Sequence, residues 1–204
     1  HELGHLLLGH EVSLDETVGF LGRFGSNSRP VIEQAADTFA AELLAPKSLM
    51  LTTARRHRWT RAKLAEPLNI YQMGLRLGLS YKATCWALVA SGVLGRGQAQ
   101  TLQSTEVKRL KHSLAPERLM RHNWADVWHL SEQDTGTRIE ATPDDVFALH
   151  LRDMASSGFV WELVDAGGGA DVLEESTELP NSYGGDSSRV VHLRFSRPGV
   201  HTLA

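Results

Sequence analysis

Histidines at positions 1 and 5, with Glu2 between them, spell a His-Glu-x-x-His sequence. On a helix, residues four apart lie on one face, one turn apart. Two imidazoles so placed can share one zinc ion, and the intervening Glu2 reaches a water on that ion. Zinc lowers the pKa of such a water from about 15.7 to about 7, and Glu2 can take its proton. The product is a hydroxide aimed at a polarised carbonyl. The plainer alternative is a helix that carries two surface histidines.

Catalytic zinc takes three protein ligands and keeps one position open. His10 is the nearest candidate for the third. It follows the end of the helix and would have to curl back sharply, so it reads as a solvated histidine or as one standing behind a ligand. Glu33 is the better candidate. It opens Glu33-Gln34-Ala35-Ala36-Asp37, in which Glu33 and Asp37 sit one turn apart on the polar face of a second helix. Asp37 can accept the spare N–H of a ligating imidazole and fix its tautomer. Glu42 lies about half a turn round from Glu33 at 100° per residue, so the two cannot serve one metal. An exposed acidic helix face is the alternative for this pair.

These side chains need helices to hold them, and the first half of the sequence reads as helices. Apolar spacing predicts them over His1–His10, Val31–Leu44, Arg61–Glu66, Ile70–Leu77 and Lys82–Ser91, with Pro30 and Pro46 bracketing the second. Leu77-Gly78-Leu79-Ser80 reads as a helix C-cap followed by an N-cap, hence a helical hairpin. The second half reads as strands at Val146–Leu151, Phe159–Val164, Val190–Phe195 and Val200–Leu203, punctuated by glycine clusters. Charge divides the chain in the same place. Residues 1–103 balance at +3 and residues 104–204 at −6. The expected organisation is an α+β chain: a metal-binding helical domain over 1–103, a connector over 104–137 and a small β domain over 138–204. It opens within a motif and stops within a strand-like run, so it reads as a fragment at both ends.

Composition narrows the function classes. Apolar residues make up 42% of the 204 and charged residues 22%, which is a globular composition. No apolar run approaches the roughly 20 residues of a membrane span. The net charge of −3 does not suggest strong nucleic-acid binding. The single Cys85 excludes an internal disulfide and a multi-cysteine zinc site; it reads as a buried thiol in a cytoplasmic protein. His112, His122, His129, His150, His192 and His201 have no ligand spacing and read as structural or surface residues. Arg55, Arg56, Arg58, Arg61 and Lys63 form a basic cluster that can touch phosphates, dock an acidic partner or simply face solvent.

The run from His1 to His10, followed by Glu33-Gln34-Ala35-Ala36-Asp37-Thr38-Phe39-Ala40-Ala41-Glu42-Leu43-Leu44-Ala45-Pro46, resembles the ImmA/IrrE family of metallo-endopeptidases. The resemblance covers roughly residues 1–100; Ala45 stands where Met is common. It implies zinc ligands at His1, His5 and Glu33, and Glu2 as the catalytic base. Ile70 to Leu88 resembles the helix-turn-helix-like segment that follows the peptidase core in that family. The resemblance further implies a protein substrate, with helix-turn-helix repressors as the substrate class of some members.

Asp144 to Glu162 is similar to the chagasin-type inhibitors of cysteine proteases, which are small Ig-like β-sandwiches. Ser156-Ser157-Gly158-Phe159-Val160-Trp161 matches their first binding loop conservatively, with Met154 and Ala155 in place of Asn-Pro. This second resemblance implies a domain for binding or substrate recruitment, with Trp161 as core filling in the plainer reading. A different class stays open for the whole chain: a non-catalytic regulator with a structural metal site, its fourth position closed by a protein ligand such as His10.

Overall fold

The structure, a computed structural model, describes residues 1–10, 31–153, 161, 169–178 and 187–202. The chain is α+β and forms two compact units, His1–Thr105 and Glu106–Ala204. The first is helical: α1 Glu2–Leu7, α2 Val31–Leu44, α3 Lys47–Arg56, α4 Pro67–Leu77, α5 Tyr81–Ala90 and α6 Arg96–Leu102. Pro46 lies between α2 and α3 and serves as the N-cap of the latter, because a proline cannot continue the helix before it but presets the turn after it.

The α4–α5 hairpin forms as its punctuation predicts. Gly78 caps α4 at φ 66, a left-handed conformation glycine adopts without a Cβ clash. The Ser80 hydroxyl accepts the Ala83 N–H at 3.2 Å and starts α5. Gly74 lets the two helices approach: a Cβ there would stand 2.7 Å from Thr84 Oγ1 and 2.8 Å from the Leu79 carbonyl. Ile70, Met73, Leu77, Cys85 and Leu88 fill the core of this hairpin.

Two helical expectations need correction, and two helices are additional. α1 ends at Leu7 rather than running to His10. Arg61–Glu66 contains only a 3-10 turn, Lys63–Ala65. α3 and α6 were not expected. α3 carries consecutive Leu49-Met50-Leu51 and paired threonines, so its apolar stripe is blurred. α6 buries little besides Ala99.

The second unit holds α7 Val107–Leu114 and strands β1 Val127–Leu130, β2 Val146–Asp153, β3 Ala170–Glu178 and β4 Ser187–Phe195. The sheet order is β1-β2-β4-β3. β1 and β2 run parallel; β4 is antiparallel to β2 and β3. Val127, Val146, Ala148, Val190 and Leu193 are buried. Asp145 ties the start of β2 to β1 by accepting from the Asp126 N–H at 2.9 Å, Trp128 Nε1 at 3.1 Å and the Thr142 hydroxyl at 2.8 Å.

β1 falls inside the stretch expected to be a connector, and β3 was not expected. Val200–Thr202 has no regular structure, because the bend at Arg197 and Gly199 is not followed by a partner strand among the described residues. A sandwich needs two sheets; the described residues form this one. The expected strand at 159–164 and the binding loop at 156–160 lie outside the described residues. Trp161 is not core filling: it is 44% exposed, with Nε1 donating to the Arg152 carbonyl at 3.2 Å. No helix among the described residues is long and apolar enough to cross a membrane.

Candidate metal centre

α1 has six residues, too few to be stable alone, since isolated helices shorter than about 12–15 residues are marginal in water. It is held against α2 at Gly4. A Cβ on Gly4 would stand 3.0 Å from the Ala36 carbonyl oxygen, 3.1 Å from Ala36 Cα and 3.3 Å from Phe39 Cδ1. Glycine is therefore what allows this approach. The Ala36 side of the contact is fully buried, and Glu33 and Asp37 flank it one turn apart.

The approach brings His1, His5 and Glu33 together. His1 Nε2 lies 3.2 Å from Glu33 Oε2, and His5 Nε2 lies 3.3 Å from Glu33 Oε1. The two Nε2 atoms are 3.1 Å apart. Tetrahedral zinc with bonds of about 2.0–2.1 Å places its donors about 3.3–3.4 Å from one another. The observed spacings fit that requirement closely. The three side chains are 18–22% exposed, sheltered yet open to a ligand from solvent.

The far sides of both rings are engaged. His1 Nδ1 is 2.7 Å from Asp37 Oδ1. A carboxylate only accepts, so Nδ1 carries the proton and Nε2 presents its lone pair. His5 Nδ1 meets His10 Nδ1 at 3.1 Å. Two neutral imidazoles that each turn a lone pair to this point, together with a carboxylate, form a donor set that a cation would complete. The donor set, two nitrogens and one oxygen, is the one zinc takes in hydrolytic sites. Glu2 is exposed on the same helix, one residue from His1. Glu42 is exposed on α2.

His10 stands behind His5, the second of the two places expected for it. It does curl back, but to the distal nitrogen of His5, not into the cluster. The signal was the preceding Gly9, which permits the return turn.

Comparison with known families agrees with this geometry. Residues 1–88 match the Peptidase M78 family model, the IrrE N-terminal-like domain. The match runs from α1 into α5 and contains His1, Glu2, His5, Glu33 and Asp37. It supports a metallopeptidase-type function and, in general terms, a protein substrate for this IrrE N-terminal-like segment. No curated protein and no solved structure matches the chain.

Proposed function

We infer that the chain is a zinc-dependent endopeptidase, with His1, His5 and Glu33 as the metal ligands and Glu2 as the general base. When bound, the zinc ion supplies a Lewis acid that polarises a carbonyl and brings the acidity of water near neutrality. Glu2 takes a proton from the attacking water and passes it to the departing amine nitrogen, so that peptide and water give a carboxylic acid and an amine. Asp37 holds His1 in the tautomer that presents Nε2. The observation that carries the reading is the 3.1–3.3 Å convergence of the three donor groups.

A closed structural site needs a fourth protein ligand. The residue expected to supply it, His10, faces the other side of the His5 ring, and no fourth histidine, cysteine or carboxylate joins the cluster among the described residues. This favours the hydrolase over the non-catalytic regulator. On the resemblance to ImmA/IrrE peptidases, the reading extends to regulatory cleavage of a helix-turn-helix repressor in the cytoplasm. On the resemblance of residues 138–204 to chagasin-type inhibitors, that segment would serve binding or recruitment.

The test is Glu2→Gln in the full chain, with zinc content and cleavage of a helix-turn-helix repressor substrate measured together. Zinc stays bound at wild-type stoichiometry and hydrolysis is lost. Retained hydrolysis at the wild-type rate removes Glu2 from the mechanism. Unchanged zinc content in Glu33→Ala removes Glu33 from the ligand set.

A further inference from the structure

α1 ends in a turn that returns the chain on itself. Leu8 keeps near-helical angles, φ −85 and ψ −1, and Gly9 switches to φ 69. The Gly9 N–H donates to the Leu6 carbonyl at 3.3 Å, and the His10 N–H donates to the His5 carbonyl at 3.0 Å. This pair of bonds is the Schellman pattern, which needs a left-handed residue at its centre. Its consequence is positional: the residue after the glycine is brought back to the level of His5.

The two imidazoles then meet Nδ1 to Nδ1 at 3.1 Å, with ring centroids 5.0 Å apart and planes at 72°. At that distance one nitrogen donates and the other accepts. Nε2 of His5 is the atom turned towards Glu33 and His1. For a neutral His5 to present a lone pair there, its proton sits on Nδ1 and is donated to His10. His1 is arranged in the same way by Asp37.

We propose that His10 is the positioning residue of His5, fixing its tautomer and ring orientation, and that Gly9 is the backbone device that delivers it. The inference rests on the reading of His1, His5 and Glu33 as a zinc site. It differs in kind from the Asp37 contact, because the partner is an imidazole nitrogen and not a carboxylate. Each ligating ring thus has its own partner behind it, one from α2 and one from the end of α1.

The experiment uses the full 204-residue chain and reads two quantities: the zinc dissociation constant, by competition with a chromogenic chelator, and the His5 tautomer, from ring-nitrogen resonances of the zinc-free protein. Loss of a partner behind a ligating histidine typically weakens metal binding about 10–100-fold. His10→Ala is expected to raise the zinc dissociation constant by about 10-fold or more and to move His5 towards the Nε2–H form. His10→Gln, whose amide oxygen accepts a proton, recovers both. Gly9→Asn, which tolerates the left-handed conformation, stays near wild type. Gly9→Val, which does not, behaves like His10→Ala although the imidazole is retained. If His10→Ala binds zinc within about twofold of wild type and keeps the His5 tautomer, the proposal is wrong. Should Glu33→Ala weaken zinc in the same series, that failure belongs to His10 alone. A wild-type chain that binds no zinc overturns the metal site and this inference together.

Discussion

Gly4→Ala isolates the contact on which the candidate metal centre depends. Its Cβ would meet the Ala36 carbonyl oxygen at 3.0 Å and Ala36 Cα at 3.1 Å, where ordinary contact begins at 3.4 Å. Both neighbours are backbone and cannot rotate away, so α1 must retreat by about 0.4 Å. The distances from His1 and His5 to the Glu33 carboxylate, 3.2 and 3.3 Å, would widen to about 3.6–3.7 Å, beyond the roughly 0.2 Å tolerance of a metal–ligand bond. Zinc binding then has to force the helices back together against an overpacked contact, which costs about 1–3 kcal/mol. That corresponds to a rise of about 5–150-fold in the dissociation constant. Alanine favours the helix by about 1 kcal/mol over glycine, which offsets part of that cost to the extent that α1 orders as the metal binds. Chelator competition measures the affinity, and far-UV circular dichroism of the zinc-free protein checks that helicity has not fallen. A Gly4→Ala protein with wild-type zinc affinity would falsify the claim that close approach of α1 and α2 builds the site.

Three further outcomes follow from the packing. Gly74→Ala places a Cβ 2.8 Å from the Leu79 carbonyl and should destabilise the first unit by about 1–3 kcal/mol, read as a drop of several degrees in its thermal midpoint. Asp145→Ala strands the Trp128 Nε1–H and the Asp126 and Thr142 N–H groups and should cost about 3 kcal/mol or more, read by urea unfolding of the second unit. Burial raises the Cys85 thiol from its usual 9.0 to about 11, so the unfolded chain loses that proton first. Stability is then flat below about pH 9 and falls by roughly 1–3 kcal/mol between pH 9 and 11; urea titrations of Cys85→Ala should show the pH 9–10 slope removed.

The helices that carry the site were legible because their signals are local. Pro46 and the spacing of Ile32, Ala36, Phe39 and Leu43 place α2 at its observed bounds, Val31–Leu44, and helical geometry alone puts His1 beside His5. What spacing could not convey was distance between helices. That depends on Gly4 meeting Ala36, a contact visible only once both helices are paired. The position of His10 was legible in principle. A glycine just past the helix end implies a return of the following residue to the level of His5, which selects a place behind the ligand over a solvated one. The strands divide on similar grounds. β2 and β4 alternate apolar residues, whereas β1 is four residues long. β3 carries Asp171, Glu174 and Glu175 at the edge of the sheet, where charge discourages further pairing and hides the strand pattern.

On the proposed reading, the shortness of α1 gives a bound metal a second role. Leu3, Leu6 and Leu7 are 48%, 75% and 62% exposed, so this helix draws little stability from apolar burial on those side chains. Among the described residues, it has the Gly4 contact, the Schellman turn and the convergence of His1 and His5 on Glu33. On the proposed reading, a divalent cation among the three donors strengthens the last of these. Metal binding and docking of α1 are then one equilibrium, since binding free energy at such a site is also folding free energy. On this view the residues behind the ligands do more than tune affinity. Asp37 and His10 preset both rings while the helix is only marginally held, so that the ion meets Nε2 atoms already facing the Glu33 carboxylate. Without that preorganisation, part of the binding energy would go into choosing tautomers and ring orientations rather than into fixing α1 on α2.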